Sequence, residues 1–177
     1  TASLVAKDRC SSLTARLGVS PMKSINYILG YILSVIPLIL IQNILFFITA
    51  IILGLKFSSN AIYTTLAVIP ISILFISLGI LIGTITTEKS SSGISSIIVQ
   101  LVAFTSGMYF TTDMVGSTFS TICHILPFES TLNITKDILN SNYNNILPSI
   151  LIVGIYIVIV IILTIILFKR KMISDNK

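Results

Sequence analysis

Polar and apolar positions in this chain fall in long blocks. Ile25 to Leu55 carries no charged residue, and neither does Ala61 to Ile85 or Pro148 to Phe168. A hydrocarbon core about 30 Å thick takes about twenty apolar helical residues, so each block predicts a membrane-spanning helix. A shorter block, Gly93 to Phe110, follows the polar turn "TEKSSSG". The pattern predicts an all-α integral membrane protein with four transmembrane helices, at about 25–55, 61–85, 93–110 and 148–168. The first block is too long for one upright helix and too short for two, which predicts one tilted or kinked helix, with Pro37 as the place of a kink. Pro70 breaks the second, Asn60 is placed to cap its start, and Lys169, Arg170 and Lys171 stop the last.

Outside these blocks the period is that of short amphipathic helices. In "KDRCSSLTARLGVSPMKS", Leu13 and Leu17 share one face at i,i+4, and Arg9 and Arg16 lie two turns apart along another. Gly18 suits a helix end, Ser20 an N-cap and Pro21 a first turn. A short helix over 7–18, a sharp corner and then a span is the expectation. In the segment 111–147, Phe119, Ile122, Ile125 and Leu126 recur at helical spacing before Pro127, and Ile134 and Ile138 lie one turn apart. These predict two short helices, interfacial or re-entrant, before the last span.

Composition sharpens the picture. Hydrophobic residues make up 54% and charged residues 10%, against about a quarter charged in soluble domains. The net charge of +5 does not point to nucleic acid, because the basic residues sit near the ends and beside apolar runs. With the N-terminus cytoplasmic, the inside holds Lys7, Arg9, Arg16, Lys23, Lys89, Lys169, Arg170, Lys171 and Lys177, and the outside only Lys56 and Lys136. The positive-inside rule therefore places both termini in the cytoplasm. Cys10 and Cys123 then fall on opposite faces, in neither a CxxC pair nor a metal-ligand spacing.

Reactive chemistry is not visible. The lone His124 reads as solvated, no nucleophile, base or metal set is legible, and neither catalytic, cofactor nor metal residues are expected. The spans lack the ionisable groups that proton-coupled transporters keep in the membrane. The sequence holds no GxxxxGK[ST] loop, so ATP would be hydrolysed by another polypeptide. "GILIG", Gly79 to Gly83, and the pair Gly30 and Ser34 are small-xxx-small patterns, open to a packing or a dimer role. Gln42 and Asn43 lie near mid-depth of the first span, where they either line a path or bond to neighbouring helices.

"DR", then "ARLGVSP", then "ILGYIL" opening a span resembles the region before the third span of ABC-2 type transporter permeases. "SLGILIGTITTEKSSSGISSIIVQLVAFTSGMYF", followed by "ILPF" and "TKDIL", is similar to that family's succeeding spans. The resemblance covers nearly the whole chain, and its specificity lies in the order of short motifs. It implies a permease subunit working as a dimer of permease chains with two ATP-binding cassette subunits, exporting a drug, antibiotic, lipid or peptide-like substrate. By motif it also implies that Asp8, Arg9, Leu13, Arg16, Leu17 and Pro21 couple to the ATP-binding subunit. The family has six spans and four are visible, so the first two would be missing from a fragment. "TASLVA" indeed reads as the end of an apolar element. Thr111 and Thr112 stand where the family often has proline, which affects the expected shape of the outer segment. The competing reading is a non-transporting membrane protein, such as an immunity or assembly factor. A neighbouring ATP-binding gene and two upstream spans would discriminate against it.

Overall fold

The computed structural model describes residues 1–9, 24–54, 59–109, 116–143 and 146–174. Among them all regular structure is helical: α1 (Ala2–Arg9), α2 (Ser24–Ile52), α3 (Ser59–Ile85), α4 (Glu88–Thr105), α5 (Ser117–Ile125), α6 (Pro127–Leu139) and α7 (Ile146–Ser174). The β-branched residues that dominate α7 are mediocre helix formers in water. In lipid, however, every backbone N–H and C=O must be satisfied within the segment, and the helix is the single-chain solution.

Three helices are long and apolar enough to cross a membrane: Ile25–Ile52, Ser59–Ile85 and Ile146–Arg170. The proline positions do not end them. α2 continues through Pro37 and α3 through Pro70, although each ring removes one N–H from the ladder. The block at 93–110 is shorter than its apolar pattern suggests. α4 already starts at Glu88, spends its first turns on "EKSSSG" and ends at Thr105, and Gly107 then takes φ 73, a left-handed conformation that stops the helix.

The described residues divide into two compact units. One comprises 1–35, 73–98 and 157–177, the other 36–72 and 99–156. In the first, the core is built on Val5, Ala6, Ile28, Leu74, Ile80 and Phe168. In the second, Ala61, Cys123, Ile134 and Ile138 are buried. Several hydroxyls enter these cores satisfied within their own helix, while Ser91 Oγ is buried without a partner. Thr64, Ser77, Thr84 and Thr164 are buried and donate to the carbonyls of Asn60, Ile73, Ile80 and Val160 at 2.7–2.8 Å. Such back-bonded side chains behave as small packing residues. Outward faces are apolar, with Leu33 71% and Ile52 79% exposed, as suits lipid.

Candidate functional site

The densest set of specific contacts lies in the first unit, where α1 is seated on the C-terminal half of α3. α1 is only eight residues long, too short to persist alone in water, yet Val5 and Ala6 are fully buried. Gly79 and Gly83 make the seat. A Cβ on Gly83 would stand 2.5 Å from the Ala2 carbonyl oxygen and 2.8 Å from Val5 Cβ, and one on Gly79 would stand 3.2 Å from Thr1 Cβ. The "GILIG" face is thus occupied by α1 of the same chain. Gly30, by contrast, has open space where its Cβ would be, and Ser34 Oγ donates to the Gly30 carbonyl at 2.7 Å.

The last turn of α1 grips two neighbours. Arg9 donates from Nη1 to the Thr84 carbonyl and from Nη2 to the Thr86 carbonyl at 3.0 Å. These acceptors belong to the C-terminal end of α3, where carbonyls lack intrahelical donors and the helix dipole favours a cation. Asp8 accepts from the Tyr31 hydroxyl of α2. Tyr31 is also within 3.0 Å of the Tyr27 hydroxyl, and the Tyr27 ring stacks on Phe168 of α7 with centroids 4.7 Å apart. One polar and aromatic chain therefore links α1, α2, α3 and α7.

Of the residues expected to couple to a partner, Asp8 and Arg9 are described and make these internal bonds. Leu13, Arg16, Leu17 and Pro21 lie outside the described residues. The acceptors at Thr84 and Thr86 and the donor Tyr31 escape sequence reading, because a backbone carbonyl and a span tyrosine carry no motif.

In the second unit, Asn60 lies within the first turn of α3, not before it. Its Nδ2 donates to the Leu139 carbonyl at 3.3 Å and to Ser141 Oγ at 2.6 Å, while Tyr143 donates to its Oδ1 at 3.3 Å. It ties α3 to the end of α6. Tyr156 of α7 donates to the Ile125 carbonyl at 2.8 Å, holding the corner between α5 and α6. At that corner His124 Nδ1 is 3.0 Å from Glu129 Oε2. Cys123 is fully buried, and its thiol is pushed up by burial and by the Glu129 carboxylate.

A cavity of about 360 Å³ in this unit is lined by Asn43, Phe46, Phe47, Thr64, Thr135 and Leu139 among others. Asn43 Nδ2 is buried there without a hydrogen-bond partner, whereas Gln42 is exposed. Of the two readings open for Asn43, it lines a cavity, and a bond to a neighbouring helix is not made by this nitrogen. Among the described residues no three His, Cys, Asp or Glu side chains gather as a metal site.

Apolar spans braced through helix ends and glycine seats define a multi-pass helical membrane protein. Residues 1–166 match the family model described as ABC-2 family transporter protein, and the chain belongs to that family. It is accordingly a membrane component of an ABC-2 transporter. No curated protein and no solved structure matches it.

Proposed function

We propose that this chain is the permease subunit of an ATP-driven exporter, with ATP hydrolysed by a separate subunit and a second permease chain completing the path. The observation that carries the reading is the family match over residues 1–166. The sequence supports the division of labour, since it holds apolar spans and no phosphate-binding loop. Partner contact is proposed for Asp8, Arg9, Leu13, Arg16, Leu17 and Pro21, the last four in the basic segment that follows α1 directly.

The proposed topology has both termini cytoplasmic, from the charge asymmetry, and a fourth crossing by α4. At 18 residues that helix is about 27 Å long, close to a hydrocarbon core, and its serine-rich start would lie at the inner surface. The substrate class proposed is amphipathic or apolar, a drug, antibiotic, lipid or peptide-like molecule, in keeping with the uncharged spans.

The test is to express the full reading frame with any ATP-binding protein encoded beside it and to apply a thiol crosslinker. A crosslink through Cys10 that disappears in Cys10→Ser is the expected result. Absence of any ATP-binding protein in the purified complex, with Cys10 labelled by an impermeant reagent from outside intact cells, would overturn both partner and topology.

A further inference from the structure

We infer that the cavity between α2, α3 and α6 is a binding site for an uncharged acyl ester taken up from the membrane, with the Asn43 amide donating to the ester carbonyl. The inference stands on the geometry of the second unit and is independent of the exporter reading.

The wall combines an unspent donor with apolar surface. At about 360 Å³ the cavity falls within the range of about 300–1,000 Å³ typical of small-ligand pockets. Phe46, Phe47, Val68 and Leu139 make it apolar, and no charged side chain stands among the described residues that line it. The Thr64 and Thr135 hydroxyls line it too, but they donate to the carbonyls of Asn60 at 2.8 Å and Thr131 at 3.2 Å. Asn43 Nδ2 remains, buried and without a hydrogen-bond partner, a state that costs free energy until an acceptor arrives. The last torsion of an amide side chain is soft, so the nitrogen can turn from the wall to a ligand oxygen. Water fits poorly, because a buried water takes about three hydrogen bonds and this wall offers one free amide. Position selects the rest. Phe46 is 67% exposed on the outward apolar face, so the cavity is entered from the bilayer. Past Val68 the gap between α2 and α3 narrows to an apolar crevice with Ile36, Leu40 and Ile69. The 29 residues of α2 extend about 43 Å, and centred on a hydrocarbon core of about 30 Å the helix overhangs by about 6 Å at each end. Asn43 stands about 14 Å from the Ile52 end, hence about 7 Å inside the hydrocarbon. A charged headgroup at that depth would be buried unpaired. An ester carbonyl is uncharged, accepts the amide hydrogen and brings an alkyl chain to fill the apolar remainder.

The test uses the full-length protein in phospholipid nanodiscs and photoactivatable probes that share one diazirine-bearing chain: a methyl ester, the free acid and an alkane. The ester is expected to label Phe46, Phe47 and the end of α6 saturably, with an apparent affinity about three- to tenfold above that of the alkane, the share of one hydrogen bond, and above that of the acid. Asn43→Leu is expected to bring the ester down to the alkane while raising the melting point of the empty protein, since it replaces a buried unpaired donor by an apolar group of similar shape. A lower melting point in that variant would make Asn43 a structural residue and remove it as the donor. Ala50→Phe is expected to fill the cavity and abolish labelling there by every probe. The proposal is overturned by the absence of saturable labelling above the phospholipid background, by equal affinity for ester and alkane in the wild type, or by an unchanged ester affinity in Asn43→Leu. Preference for the acid rules out an uncharged occupant and overturns it as well. None of these readouts involves ATP or an ATP-binding subunit, so a failed Cys10 crosslink leaves the site standing, and failed labelling leaves the exporter reading untouched.

Discussion

Replacing Gly83 with alanine adds one methyl group at the tightest point of the α1 seat. That carbon would stand 2.5 Å from the Ala2 carbonyl oxygen and 2.8 Å from Val5 Cβ, both inside contact distance. The oxygen belongs to the backbone of a helix whose Val5 and Ala6 are fully buried, so it has little freedom to retreat. Overpacking of this kind costs about 1–3 kcal/mol, and at about 2–4 °C per kcal/mol for a chain of this size the melting point should fall by about 2–12 °C. The ranking is more diagnostic than the absolute value. Gly79→Ala meets Thr1 Cβ at 3.2 Å, a side-chain atom that can give by a few tenths of an ångström, and Gly30→Ala meets nothing within 4 Å. Gly30→Ala should be neutral or stabilising by up to about 1 kcal/mol, the ordinary helix preference of alanine over glycine. Thermal unfolding of the three variants in one detergent, followed by size-exclusion fluorescence, gives the order directly. If Gly83→Ala melts with Gly30→Ala, α1 does not occupy that face.

Two further expectations concern the second unit. Asn60→Ala removes two donated bonds and one accepted bond; because all are exposed, the loss should be about 1–2 kcal/mol, seen as roughly five- to thirtyfold faster proteolytic cleavage near Ser141 to Tyr143. Cleavage at the wild-type rate would show that the tie is idle. The Cys123 thiol holds its proton more tightly when folded than at its ordinary value of 9.0. Its contribution to stability is full below that value and lost as pH rises through the folded one. The melting-point gap between wild type and Cys123→Ser should therefore narrow on going from below to above pH 9.0, and Glu129→Gln should make the thiol react with maleimide at lower pH. An unchanged gap would mean that the thiol is not held up by its surroundings.

The sequence by itself determined where apolar helices run. Lipid imposes a one-dimensional rule, a run of about twenty uncharged residues, and α2, α3 and α7 obey it visibly. The paired short helices of 111–147 were legible for the same local reason, through the spacing of Phe119 to Leu126 and of Ile134 to Ile138. The block at 93–110 shows the limit, because hydropathy marks Gly107 and its neighbours as span while the left-handed backbone there ends α4. Seats and long-range bonds were beyond sequence reading altogether. "GILIG" offered a packing or a dimer face, and only the tertiary structure decided that α1 fills it. "DR" resembled part of a partner-coupling segment, and only the fold showed in addition that Asp8 bonds to Tyr31 and Arg9 to the carbonyls of Thr84 and Thr86 where α3 ends. The physical reason is range: a hydrophobic run is a property of neighbours in the chain, whereas a guanidinium and a carbonyl 75 residues away meet only after the helices have packed.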